Sequence, residues 1–211
     1  MEKYGDALLC VRYRFDEVRG VKLSLPAISM REAMRNMRGD LEEYAVRKLL
    51  ESQGVHGTGT LQKDDPKELL DVYNFSISFN LEDLLVVAST TGMPIKPVTS
   101  SLFPIAAITA GAYEPTTRKA TVCSGGRSME EYVFEFPASM TIVGFPKDFG
   151  YSSPSLDYRA TYRKAGNELT VTRDLRDKTA TNICTSGYQA EYQKSARSIL
   201  RDLRSQILIS N

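Results

Sequence analysis

The chain has 211 residues, with 27 Lys and Arg against 26 Asp and Glu, and three cysteines. So even a balance gives no long-range field to hold a polyanion, which removes the main affinity term for nucleic acid. The longest apolar stretches, Leu84–Ala88 and Phe103–Ala112, fall well short of the roughly 20 residues a membrane-spanning helix needs.

Ala7, Leu9, Val11, Tyr13 and Phe15 alternate with Cys10, Arg12 and Arg14, the period of a half-buried strand. Asp16–Gly20 turns the chain, and Val21, Leu23 and Leu25 alternate again until Pro26, whose missing amide stops a ladder. The pair reads as a hairpin. Ser29-Met30-Arg31-Glu32 is a capping box, and Met30, Met34, Met37, Leu41, Ala45 and Leu49 then recur at helical spacing. Gly54 closes that helix. Val55–Lys63 predicts a strand loosened by Gly57 and Gly59, Asp65–Glu68 a short capped turn, and Phe75, Ile77, Phe79 and Leu81 a further strand. Pro94, Pro97 and Pro104, with Gly92, leave few amides for pairing, so the stretch around them reads as a covering loop or linker.

Strands are predicted again at Lys119–Cys123, through Tyr132, Phe134 and Phe136, at Met140–Phe145, at Leu156–Tyr162 and, after the turn Lys164–Asn167, at Leu169–Leu175. Ser186-Gly187-Tyr188-Gln189 is a second capping box, and Tyr188, Tyr192, Ala196, Ile199 and Leu203 share one helical face before a closing strand at Ile207–Ile209. One plan, a hairpin followed by a capped amphipathic helix, is thus used twice, over Ala7–Gln53 and Leu156–Ile209. The predicted fold is α+β, mainly antiparallel sheet and sandwich-like, with two amphipathic helices. It divides into an α+β unit over 1–90 and a β-rich unit with a C-terminal helix over 91–211, or packs as one continuous domain.

His56 is the only histidine, so a serine or cysteine hydrolase here would need it as general base. It lies beside a Gly57-Thr58-Gly59 turn with no orienting carboxylate in sight, and reads as a loop residue. That glycine turn is too short to cradle a phosphate. Glu42-Glu43 and Asp64-Asp65 are adjacent carboxylates, which point apart on a helix or strand and read as capping and solvation. Arg31, Arg35 and Arg38 crowd one helical side, but Asp40, Glu42 and Glu43 nearby make it an ordinary mixed-charge surface. Tyr151, Tyr158, Tyr162, Tyr188 and Tyr192 read as sealing the second helix against the sheet with their hydroxyls left wet, in preference to a sugar-stacking surface.

The thiols lack C-x-x-C spacing. Cys123 ends a predicted strand and Cys184 precedes the second helix, so the two could meet at one end of a sheet, either bridged or as two buried thiols. Cys10 reads as a packing thiol. No catalytic, cofactor or metal site is expected.

The segments Arg118–Arg127, Glu131–Pro137, Phe145–Asp148, Tyr158–Thr172, Asn182–Cys184 and the closing helix to Ile209 resemble the C-terminal region of large bacterial transglutaminase-like proteins. Those proteins carry an N-terminal domain of unknown function and a papain-like core. Gly5-Asp6-Ala7, the first helix and Gly57-Thr58-Gly59-Thr60 with Asp65-Pro66 resemble the part just after that core. The resemblance spans nearly the whole chain, through turn and strand patterns and not through a catalytic signature.

It implies that the Cys, His and Asp triad belongs to the core and matches no residue here. The chain would then be a non-catalytic accessory region whose partner is that core, positioning a peptide or cell-envelope substrate. The alternative expectation is a free-standing module that captures a peptide or protein on exposed sheet edges. The resemblance also implies a periplasmic setting, which favours a Cys123–Cys184 bridge. A natural start at Met1 would instead mean no leader and a cytoplasmic chain.

Overall fold

The computed structural model describes residues 7–16, 35–36, 39–53, 56–68, 72–82, 89–95, 105, 108, 111–113, 119–123, 125–181 and 183–210. In chain order the elements are β1 (Ala7–Asp16), α1 (Gly39–Gln53), β2 (His56–Lys63), β3 (Val72–Glu82), β4 (Thr91–Pro94), β5 (Thr121–Val122), β6 (Gly126–Glu135), β7 (Thr141–Gly144), β8 (Phe149–Ser152), β9 (Leu156–Ala165), β10 (Glu168–Asp177), β11 (Ile183–Cys184), α2 (Ser186–Leu203) and β12 (Gln206–Ser210). The fold is α+β and mainly antiparallel sheet.

Strand β1 organises it. A strand has two edges, and both edges of β1 are taken: β3 pairs from Ala7↔Leu81 to Asp16↔Val72, and β6 from Leu8↔Glu135 to Asp16↔Arg127. The expected hairpin partner, Val21–Leu25, lies outside the described residues, as do the Ser29–Glu32 capping box and Gly54. The β1–β6 pairing joins the two halves of the chain into one seven-stranded sheet, ordered β2-β3-β1-β6-β10-β9-β8. The second hairpin forms as expected. Strands β9 and β10 pair around a turn in which Gly166 takes a φ of 60°, open to glycine without strain.

Alternation fixes which face of this sheet is buried. Inward go Ser128, Glu130, Tyr132 and Phe134 of β6, Leu169, Val171, Arg173 and Leu175 of β10, and Leu156, Tyr158, Ala160 and Tyr162 of β9. The opposite face stays polar, with a bidentate Arg127–Asp174 pair bridging β6 and β10 at 2.9 and 2.6 Å.

A three-stranded sheet, ordered β4-β12-β7, contributes Ile142, Ile207 and Ile209 to the same core. The proline-rich stretch is therefore more than a linker. Its residues Thr91–Pro94 form β4, where Pro94 is tolerated because β4 is an edge strand. Ile95, Ile105, Ile108 and Ala112 beyond it are wholly buried, so the expected covering role holds. Two further short strands have no local signal in the sequence: β8, between proline and serine turns, and β11, which among the described residues pairs with β5 alone.

On α1 the described buried side chains are Val46 and Leu50, one residue on from the Ala45 and Leu49 of the expected face. Helix α2 starts one residue earlier than its capping box suggests. Thr185, not Ser186, is the cap, and its hydroxyl accepts from the Tyr188 amide. Gln189 is then free to bond elsewhere, donating to Lys119 O, Thr121 Oγ1 and Cys184 O, and so anchors the helix start to the β5–β11 ladder. Ala196, Ile199, Leu200 and Leu203 enter the core, each large apolar side chain contributing about 1.5–3 kcal/mol.

Candidate functional site

The stripe of α2 that meets the sheet carries Tyr188, Tyr192, Ser195, Ile199 and Asp202, at alternating helical steps of four and three. Most of its members are polar, and each polar one finds a partner. Tyr188 bonds Thr179 Oγ1 at 2.6 Å. Ser195 joins Ser153 at 2.9 Å and Ser155 at 3.2 Å, and accepts from the Tyr151 hydroxyl at 3.3 Å.

Asp202 is the hub. It is buried at 4% exposure, and it accepts from Tyr158 at 2.6 Å, from Tyr162 at 2.5 Å and from Arg173 Nε at 3.3 Å. Three donors on β9 and β10 thus converge on one helix carboxylate. Burial, reinforced by the Asp202 carboxylate, pushes Tyr162 up to about 12 and Tyr158 well above its ordinary range, so both hydroxyls keep the proton they donate. The expectation that these tyrosines seal helix to sheet is met. The hydroxyls of Tyr158 and Tyr162 are not wet, however, because a buried phenol must find a partner and Asp202 supplies it.

Arg173 extends the network into the core. Its Nη2 donates to Ile95 O at 2.8 Å, and its guanidinium lies over the Tyr132 ring at 5.4 Å. Tyr132 in turn donates to Glu130, which burial pushes up to about 7 against the opposing pulls of Tyr132 and Arg173. Three polar atoms here have no hydrogen-bond partner among the described residues: Ser128 Oγ, Glu130 Oε1 and Arg173 Nη1. A carboxyl near 7 is suited to proton transfer in an open site. Glu130 is 0% exposed, and its neighbours Tyr132 and Arg173 lie on β6 and β10 of one sheet, from which Arg173 reaches Asp202 of α2 and Ile95 O, so the arrangement ties the sheet to what packs on it.

Sequence reasoning passed over Arg173, Glu130 and Asp202. A signal was available for two of them. Arg173 falls on the inward register of Leu169, Val171 and Leu175, and Glu130 on that of Tyr132 and Phe134, where period two expects apolar residues.

A second feature is open to solvent. A groove of about 500 Å³ runs between α1 and β2, walled by Glu42, Glu43, Val46 and Arg47 on one side and Gly57–Leu61 on the other. Gly57-Thr58-Gly59 is therefore strand and not a turn. Gly59 is where α1 comes closest: a Cβ there would lie 2.7 Å from Val46 Cγ1 and 2.7 Å from Ser78 O. Lys63 ion-pairs with Glu42 and pins the far end of β2 to the helix.

His56 opens β2 opposite Glu82, so it is a strand residue and not a loop residue. Cys123 and Cys184 are joined in a disulfide with Cα atoms 5.9 Å apart. Cys10 sits in the ladder between Ser78 and Val133. Asp65 caps its own turn, accepting from the Lys67 amide at its Oδ1 and the Glu68 amide at its carbonyl, 2.9 and 3.0 Å. Arg35 and Glu43 are exposed, while Arg31 and Arg38 lie outside the described residues. Among the described residues, no group of three or more His, Cys, Asp or Glu is placed to hold a metal ion, and no helix is long and apolar enough to cross a membrane.

Comparison with known protein families, with curated proteins and with solved structures finds no match.

Proposed function

We propose that this chain is a non-catalytic accessory region that packs against a transglutaminase-like catalytic core and helps position a peptide or cell-envelope substrate in the periplasm. The family part of this reading rests on the strand and turn patterns of the sequence. The observation that carries the packing part is an apolar patch on the outside of the three-stranded sheet. Leu208 is 42% exposed there and sits between two glycines, Gly92 on β4 and Gly144 on β7, and the chain neighbours of Gly144, Val143 and Phe145, are 52% and 42% exposed. Apolar side chains grouped on one face cost free energy in water unless a partner covers them.

A pull-down against a purified papain-like transglutaminase core tests this. Wild-type chain should be retained, and Leu208→Ser with Phe145→Ser should abolish retention while leaving the unfolding midpoint near its original value. Failure of the wild type to bind, or full binding by the double variant, would count against the patch. Turnover of peptide or amide substrates by this chain alone, lost in His56→Ala, would contradict the non-catalytic reading.

The oxidising compartment is proposed on the Cys123–Cys184 bridge, since such bonds persist outside the reducing cytosol. Thiol labelling of protein taken directly from cells, before and after reduction, should show one accessible-on-denaturation thiol rising to three.

A second reading, a free-standing module that captures peptides, is favoured by one observation: β2 ends the seven-stranded sheet.

A further inference from the structure

Strand β2 is eight residues long and, among the described residues, has β3 on one side and no strand on the other. It contains no proline and shows no register break along its pairing from His56↔Glu82 to Lys63↔Phe75, whereas long exposed edges are normally blunted by prolines, bulges or inward charges. Lys63, at one end, is held by Glu42. The groove runs along this edge, so a strand added to β2 would lie against α1.

The helix also sets the chemistry of what fits. The Glu42–Lys63 ion pair and the approach of Val46 to Gly59 show that α1 and β2 run in opposite directions, with Glu43 toward the Lys63 end and Arg47 toward Gly57. Four residues of helix advance about 6 Å, and two residues of strand advance about 6.7 Å. The Glu43–Arg47 spacing therefore matches successive side chains on one face of an incoming strand. Antiparallel addition continues the pattern of the whole sheet and is the more stable pairing per residue.

We propose that the free edge of β2 and the groove beside it bind an extended peptide as an added antiparallel strand, and that the preferred peptide carries a Lys or Arg followed two residues later by an Asp or Glu. The basic side chain meets Glu43 and the acidic one meets Arg47, while backbone pairing with β2 supplies affinity that is indifferent to sequence. This identifies the peptide surface of the second reading above. Because its test reads β2 directly, it fails or succeeds separately from docking at Leu208.

The test is an NMR titration of ¹⁵N-labelled full chain with two end-blocked peptides, Thr-Thr-Lys-Thr-Glu-Thr-Thr and its reversed-charge counterpart Thr-Thr-Glu-Thr-Lys-Thr-Thr. The first should shift the amides of Gly57–Leu61 and slow their exchange, binding several-fold tighter than the second. The double variant Glu43→Lys with Arg47→Glu, both exposed positions, should reverse the preference by roughly tenfold, as expected for two solvent-exposed charge pairs turned from attractive to repulsive. Arg47→Gln alone should weaken the first peptide and strengthen the second, which loses its Lys–Arg47 repulsion, so that the preference narrows. Absence of any shift at β2, equal affinity for both peptides, or a preference that survives the charge swap would overturn the proposal. So would concentration-dependent dimerisation that protects the β2 amides and is not reversed by peptide, since a second copy would then be the occupant.

Discussion

Glu130 stands directly opposite Arg173 in the β6–β10 ladder, and neither side chain reaches solvent. Two ionisable residues are thus held face to face in a core that is mainly aliphatic and aromatic. Burial raises Glu130 to about 7, which outweighs the Tyr132 hydrogen bond and the Arg173 charge, whereas an unfolded glutamate titrates near about 4.3. The folded chain therefore binds more protons than the unfolded one between those values, and the stability from this group is lost as pH rises through that window. Asp177, also raised by burial, acts in the same direction.

Urea unfolding should accordingly show stability falling between pH 5 and pH 7.5, by an amount on the order of 3 kcal/mol from Glu130. Glu130→Gln should flatten most of that slope. A stability that climbs with pH across the window, or a slope untouched by the substitution, would show that Glu130 stays ionised beside Arg173.

Glycines 59 and 187 should respond to the same change with opposite sign. At Gly59 a methyl group would meet Val46 Cγ1 and the Ser78 carbonyl, each at 2.7 Å, and the carbonyl is fixed in the β2–β3 ladder. Gly59→Ala should destabilise by about 1–3 kcal/mol, as overpacking does. Gly187 lies in the first turn of α2 with open space where its Cβ would be, so Gly187→Ala should stabilise by about 0.5–1 kcal/mol. Differential scanning calorimetry of the two variants checks both, and matching shifts would contradict the packing described for α1.

The Cys123–Cys184 bond holds a ladder that buries little of its own. Val122 and Ile183 are cross-strand partners, yet they are 80% and 64% exposed. With its ends 61 positions apart in sequence, the bond should stabilise the fold by about 4 kcal/mol through restriction of the unfolded chain. Reduction, or replacement of both cysteines by serine, should lower the unfolding free energy by that order and raise amide exchange first at β5, β11 and the start of α2. Uniform exchange across the molecule after reduction would show that the bond is not a local clamp.

Much of this architecture was legible in the chain. Alternation at β3, β6, β9 and β10 is strong because one face of each strand meets water, and the α2 stripe is strong because five tyrosines and aliphatics recur at helical spacing. What was not legible has specific causes. The partners of β1 are remote in sequence, so a local hairpin was the natural expectation and both true neighbours come from elsewhere. Strand β4 contains Pro94 and β8 contains Gly150, and each such residue argues locally against a ladder that tertiary pairing nevertheless forms. At the candidate site, Gly57-Thr58-Gly59 resembled a turn because glycine permits one, while its actual use is to let α1 approach β2. Asp202 was hidden by its place near the end of a helix, where an acid usually faces solvent; only the convergence of Tyr158, Tyr162 and Arg173 reveals it as core.

The buried carboxylate, guanidinium and phenols around Asp202 join helix α2 to the seven-stranded sheet. Asp202→Asn keeps the shape and removes the charge, and its equilibrium unfolding is the most direct test. The substitution leaves the Arg173 guanidinium buried with Glu130, largely protonated below its value of about 7, as its remaining acidic neighbour, so at pH 6 the free energy of unfolding should fall by about 3–5 kcal/mol, with Tyr158→Phe and Tyr162→Phe each costing far less in the variant than in wild type. An Asp202→Asn chain that unfolds at the wild-type urea concentration would contradict that claim, and would mean that the carboxylate is kept in the core for something other than holding it together.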